Sequence, residues 1–462
     1  ADYQDAARWY RAFIDQFPHD AATPEAAYLL SDALFESHRY GDAASEYLRV
    51  AYDYPVSGRS ATAAYAAVVA LEKEEAGAAP ANRGESHRQT LAAARRFGQT
   101  FPQHPESGTV LVRTARQLLA DNAFAEAIEV AKAALARDVA LGADQRRDAW
   151  IVVATAEFEQ GAFDRSERAS LEALQLMSAG EVTRTAVEER MAAAIYKQGE
   201  AERTAGKSLE AAATFQRVGR LVPKSPIREA AEYDAAAAFL SAERWTDAIE
   251  ILERFRRDYP KSDRQPEVTR RLAVAYLSSQ QPQVAAREFE RIADQPASDP
   301  ATRREALAQA AELYEKAGDR TRATTVLEGY LHRYPEPLDV AMEFRQKLAD
   351  FAASGHDQVR RISLLKDVIK ADASAGPART DRSRFLAAQA ALELAATDRD
   401  AFVGIHLTLP LKRSLDAKRT ALKKALQGYE SADQYAVAEV STAATFEMAE
   451  LYRRLEIGRA HV

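Results

Sequence analysis

Residues 245–262 read WTDAIEILERFRRDYPKS. The stretch reads as one helix with Trp245 on its apolar face, and the chain writes it repeatedly. Ala248 is followed twelve residues on by Pro260, as Ala6 is by Pro18, Ala43 by Pro55, Ala211 by Pro223 and Ala323 by Pro335. Ala211 precedes Ala248 by 37 residues, and Ala285 precedes Ala323 by 38. A fixed period of this length marks stacked repeat units, each needing a neighbour to bury its apolar face.

Working outward, proline ends each such helix, because it cannot continue one and restricts the residue before it. The pattern predicts helix pairs at 24–38 with 41–54, 108–120 with 124–137, 144–160 with 163–176, 181–204 with 209–222, 227–242 with 246–259, 266–279 with 283–293, and 300–317 with 320–334. The helix 59–75 is followed by GAAPANRGES (77–86), which reads as a surface loop before a helix at 87–100. From 338 the period loosens, with helices expected at 338–353, 357–371 and 381–397. Two long helices, 407–430 and 434–455, then form a hairpin. The resulting organisation is a repeat array over 1–335, degenerate repeat-like helices over 336–397 and the hairpin over 398–455.

Bulk composition narrows the function classes. A net charge of −7 on 462 residues lacks the basic balance of a nucleic-acid binder. With no cysteine there is no disulfide framework, thiol nucleophile or thiolate metal site. The most apolar run, 61–71, is too short to span a bilayer. The first helix, 3–18, matches the second half of a pair, so the natural protein is expected to begin upstream, with any signal peptide or lipid-anchor cysteine there. The end, EIGRAHV (456–462), lacks a helical pattern and resembles a translated sequencing adapter; it is expected to be foreign.

These residues resemble the tetratricopeptide repeat, in which a small residue midway along the first helix meets one early in the second, twelve places later. The first-helix set is Ser31, Ala115, Ala154, Gly199, Ala236, Ala273 and Ala311. The second-helix set is Ala43, Ala127, Ser166, Ala211, Ala248, Ala285 and Ala323. A large residue three places after the first small one is present at Leu34, Leu118, Phe239, Tyr276 and Tyr314, but Glu157 and Glu202 interrupt the series and weaken their repeats. The period of about 37 exceeds the family's usual 34. The extra residues sit in loops such as VPKSPIREA, similar to those of bacterial envelope repeat proteins, including the lipoprotein of the outer-membrane barrel assembly machinery. The resemblance implies an all-α fold: a right-handed α-solenoid of stacked antiparallel helix pairs, its first helices lining a concave groove for protein partners. Candidate groove residues are Tyr28, Tyr65, Arg113, Tyr196, Tyr233, Arg270 and Arg271.

Catalytic and ligand-binding patterns are sparse. Gly206-Lys207-Ser208 lacks the glycine five places earlier that a phosphate loop needs, Ala201 standing there, and it reads as an inter-helix turn. The eight histidines show no helical zinc spacing and read as solvated or capping. Glu74 with Glu75 and Glu188 with Glu189 read as solvated pairs rather than acid/base couples. Trp9 and Trp245 read as core; Trp150 is undecided. The run Lys412, Arg413, Lys418, Arg419, Lys423 and Lys424 reads first as a solvated face, with an acidic protein, anionic lipid or nucleic acid as alternatives. No catalytic residue, cofactor or metal is expected. The functional expectation is a non-catalytic interaction scaffold of the bacterial envelope, periplasmic or outer-membrane associated. The alternatives are a cytosolic adaptor or the repeat region of a larger enzyme or signalling protein.

Overall fold

The computed structural model describes residues 2–136, 141–296, 298–409 and 411–460. Every regular element among them is helical. They form two compact units, one up to Arg244 and one from Trp245 onward.

The first unit contains α1 (Asp2–Gln16), α2 (Thr23–Glu36), α3 (Tyr40–Tyr52), α4 (Ser60–Gly77), α5 (Arg83–Thr100), α6 (Ser107–Ala120), α7 (Phe124–Leu135), α8 (Ala143–Glu159), α9 (Phe163–Gln175), α10 (Arg184–Thr204), α11 (Ser208–Leu221) and α12 (Ile227–Ser241). The second contains α13 (Trp245–Asp258), α14 (Gln265–Ser278), α15 (Pro282–Asp294), α16 (Pro300–Lys316), α17 (Arg320–Arg333), α18 (Leu338–Ser354), α19 (Gln358–Ala373), α20 (Asp381–Gly404), α21 (Leu411–Asp433) and α22 (Ala438–Ala460). Each unit is a stack of helices packed on their chain neighbours, the α-solenoid arrangement.

Small residues set the spacing within each pair. All fourteen small residues of the repeat pattern are buried. At one such pair the Ser166 hydroxyl, on α9, donates to the Ala154 carbonyl on α8 at 2.7 Å. At another, a Cβ added to Gly199 would come within 2.7 Å of the Phe215 ring. The close approach lets each large side chain bury completely, as Phe215, Phe255 and Tyr314 do; each such burial stabilises by about 1.5–3 kcal/mol.

The turns are equally regular. The residue ending most first helices has a left-handed backbone: His38, Asn122, Gly161, Gly206, Glu243, Gln280, Gly318 and His356. At His38 the cap closes by bonds from His38 N to Phe35 O (3.0 Å) and from Arg39 N to Leu34 O (3.0 Å), satisfying carbonyls the helix end would leave unpaired. Gly206 thus holds the same turn position as Gly161 and Gly318, which is why Gly-Lys-Ser appears there.

Several expectations shift. α5 begins at Arg83, so the inserted loop shrinks to 78–82. α21 begins at Leu411 rather than at 407. The helix of α22 runs to Ala460, past the expected end at 455; residues 461–462 lie outside the described ones. Trp9 is not core, being 77% exposed on α1. Trp245 and Trp150 are half-buried, the latter against the core beside Val152 and Val153.

Candidate protein-binding surface

Three of the seven predicted groove residues, Tyr28, Arg113 and Tyr196, join one first helix to the next. On α2, the Tyr28 ring lies 4.6 Å from the guanidinium of Arg59, at the start of α4, and Arg59 also pairs with Glu25 at 2.6 Å. Burial pushes the Tyr28 phenol pKa up. Tyr65 on α4 packs on Phe97 (5.8 Å between centroids) and His104 (5.4 Å). Arg113 on α6 pairs with Glu72 on α4. Tyr196 on α10 donates to Asp234 on α12 at 2.5 Å, and Arg203 joins the same carboxylate at 3.3 Å. Burial and the Asp234 hydrogen bond push the Tyr196 phenol up to about 12. Tyr233 is half-buried on α12.

In the second unit, Arg270 and Arg271 both bond Glu267 of their own helix, at 2.8 and 3.1 Å. Burial works against the Glu267 carboxylate, but the two guanidiniums outweigh it and hold its pKa below the usual range. Arg270 still has half its side chain in solvent. Val274 and Leu277 continue its line along α14, 53% and 42% exposed. Spacings of four and three put all three on one helical stripe. Sequence reasoning passed over Val274 and Leu277 because the same segment carries the buried stripe Val268, Leu272, Ala275 and Tyr276. Periodicity alone does not say which stripe faces a neighbour.

Second helices are bridged by buried carboxylates. Glu46 on α3 takes Arg11 of α1 at 2.5 Å and Arg49 of its own helix at 2.9 Å. Glu288 on α15, its side chain 3% exposed, takes Arg256 of α13 in a two-point fork (3.1 and 2.6 Å) and Arg291 at 3.0 Å. A fork of this kind fixes geometry as well as charge. Glu157, expected to weaken its repeat, is instead clamped by Lys132 (2.8 Å) and Arg165 (2.7 Å). Burial raises its pKa, but those two cations outweigh it and leave it lowered.

Other carboxylates expected in solvent also work between helices. Glu74 accepts from the Gly41 amide at 3.1 Å and Glu189 from the Ser225 hydroxyl at 2.7 Å. Glu188, by contrast, stays within its own helix, pairing with Arg184 at 2.9 Å. Glu75 meets His87, whose other ring nitrogen meets Asp121, at 2.6 and 2.8 Å. Burial lowers the His87 pKa, yet the two carboxylates raise it further, so the net direction is up. Its partners lie 12 and 34 residues away, outside any local motif. Among the described residues no cluster could hold a metal ion, and no helix is long and apolar enough to cross a membrane.

The geometry above is repeated helix pairs closed by small residues. A family model described as tetratricopeptide repeat matches residues 305–337. The chain carries tetratricopeptide repeats. A second family model, the outer membrane lipoprotein YfiO, matches residues 188–317. These repeats imply an interaction scaffold with protein partners. Among solved structures, the chain is similar to the C-terminal part of a tetratricopeptide-repeat protein from Cytophaga hutchinsonii, at 18% identity over 58% of this chain and 97% of that one, with a TM-score of 0.25. A tetratricopeptide-repeat protein from Parabacteroides merdae shows 13% identity over 60% and 96%, TM-score 0.25. PilF of Pseudomonas aeruginosa shows 16% over 52% and 98%, TM-score 0.23. At such scores the superpositions carry no further argument. No curated protein matches the chain significantly.

Proposed function

We propose that the protein is a non-catalytic scaffold of the bacterial envelope, periplasmic or outer-membrane associated, whose first helices hold a segment of a partner protein. The observation that carries the reading is the solvent-exposed stripe Arg270, Val274 and Leu277, inside the span matched by the outer membrane lipoprotein family. Two aliphatic side chains beside a cation suit a partner segment that buries an apolar residue and offers a carboxylate. Tyr28, Tyr65, Arg113, Tyr196 and Tyr233 of the first unit, and Arg271 beside the α14 stripe of the second, are further candidate contact residues on first helices. Arg113 and Tyr196 also tie successive first helices together, and Tyr28 ties α2 to the start of α4. A lipid anchor upstream of the chain would fit this placement.

The test is a photo-crosslinking side chain at Val274, compared with one at Arg287, exposed on α15. In cells, Val274 should trap one recurring envelope protein, and Arg270→Glu should abolish the adduct. Equal labelling from both positions would remove the α14 surface from the proposal. Adducts confined to cytosolic proteins would favour a cytosolic adaptor, or the repeat region of a larger enzyme.

A further inference from the structure

The start of α21 differs in character from the repeats. Leu409, just before it, is 91% exposed, and Leu411, its first residue, is 36% exposed. The approach to the helix is fastened in place. Ser414 Oγ donates to the Thr408 carbonyl (2.8 Å) and accepts from the Thr408 amide (3.1 Å). Lys418 Nζ donates to the Ile405 carbonyl at 2.9 Å and lies 4.9 Å from the Phe402 ring centroid. The two leucines therefore stand beside the first turns of α21 rather than folding under them.

Cations line the same helix. Lys412, Arg419 and Lys423 are spaced by seven and four residues, which puts them on one line, with Arg413 beside it. All four are exposed. Among the described residues none has a carboxylate within ion-pair distance, whereas Lys424 of the same helix pairs with Asp398 at 2.7 Å. Asp416, and Glu430 farther along the helix, are the acids on that line, so the face is net positive over its first turns.

We infer that this face docks on an anionic phospholipid surface. Leu409 and Leu411 enter the headgroup–acyl boundary, while Lys412, Arg413, Arg419 and Lys423 lie against the phosphates. Long cationic side chains suit this arrangement, since their stems follow the apolar side and their charged ends stay in water. Single-stranded nucleic acid would call for aromatic side chains among the cations, and none stands at 409–423. Exposed leucines at one end of a line of unpaired cations are the combination that an interfacial helix offers an anionic bilayer. The inference concerns a surface separate from α14 and holds whichever protein occupies the repeats.

Co-sedimentation of the full chain with vesicles tests it, using phosphatidylcholine alone or with about one third phosphatidylglycerol. Binding is expected only to the anionic vesicles, weakening steeply with added salt. Substituting Lys412→Glu, Arg419→Glu and Lys423→Glu together should weaken it by about tenfold or more. Leu409→Ser with Leu411→Ser should weaken it by about fivefold at unchanged salt dependence. Helicity by circular dichroism checks that the variants fold, and the salt dependence of the unaltered chain decides the matter if they do not. Equal binding to neutral vesicles, salt-independent binding, or wild-type binding by the folded charge variant would overturn the inference. So would failure to bind vesicles alongside salt-sensitive binding to RNA or to an acidic protein, which would assign the face to that macromolecule instead.

Discussion

Within the second unit, the repeats of α13–α17 and the closing helices α20–α22 differ in how much of their charge is paired between helices. In the repeats, arginines are drawn inward to bridge neighbours: Arg256 and Arg291 converge on Glu288, and Arg333 of α17 pairs with Asp294 of α15 at 3.1 Å. Even the phenols follow the period. Tyr276 donates to Glu253 at 3.0 Å and Tyr314 to Glu290 at 2.5 Å, one repeat apart. On α21, by contrast, apolar burial holds the helix to α20 and four cations are left over. Gly428 packs so tightly on α20 that an added Cβ would sit 2.9 Å from the Ala395 Cβ. Short stacked helices offer little apolar area each, so charged groups help fix their register. Long paired helices bury more each and leave part of their charge unpaired, although Lys424 still meets Asp398 at 2.7 Å and Arg399 of α20 meets Glu447 of α22 at 3.1 Å.

The largest expected effect attacks the repeat side of this contrast. Glu288→Ala would leave Arg256, 19% exposed beside the core, with the more distant Glu253 at 3.5 Å, and should cost about 3 kcal/mol in chemical denaturation. Glu46→Ala, in the first unit, should cost less, about 1–2 kcal/mol, because its partners Arg11 and Arg49 are 44% and 42% exposed and regain water. A cost below about 1 kcal/mol at both sites would show that the bridges are incidental.

Next comes packing on the hairpin side. Gly428→Ala should destabilise by about 1–3 kcal/mol, because the obstructing atoms include the Ala395 backbone and the helices must separate. Gly329→Ala, mid-helix on α17 with open space around it, should instead stabilise by about 1 kcal/mol. Equal signs for the two glycines would remove close approach as the reason for Gly428.

A smaller effect depends on pH. His87 bonds carboxylates through both ring nitrogens, an arrangement that needs the doubly protonated ring. Its folded pKa is raised, so its contribution is fully present below the unfolded value of about 6.5 and is lost as pH rises through the folded value. Amide exchange on α5 should therefore quicken as pH rises through that window, beyond the intrinsic pH trend. The His87→Gln variant should lack this extra step; a variant with the same step would place the titrating group elsewhere. Lys412→Ala, Arg419→Ala and Lys423→Ala together should change stability by no more than about 0.5 kcal/mol, as expected for exposed cations without partners.

Much of the fold was legible because its determinants are local. Prolines after α1, α3, α5, α11, α13 and α17 mark helix ends, and the twelve-residue spacing of small residues marks each pair. The candidate surface was less legible. Tyr28, Tyr65, Arg113 and Tyr196 are candidates from their place on first helices, and only the structure adds that their rings and charges also engage the next helix. Val274 and Leu277 were passed over because an exposed apolar stripe and a buried one have the same period.

By itself, then, the sequence determined the all-helical class, the period, the turns and the small residues at each crossing. These follow from backbone preference and side-chain size over a dozen residues. Tertiary structure alone decided which charges are bridged, why Glu157 is tolerated in the core, that His87 sits between two carboxylates, and that Trp9 faces solvent. Those outcomes depend on groups in neighbouring helices, often some thirty residues away in the chain. In a repeat protein every helix presents much the same local pattern, so only stacking shows which face meets which neighbour.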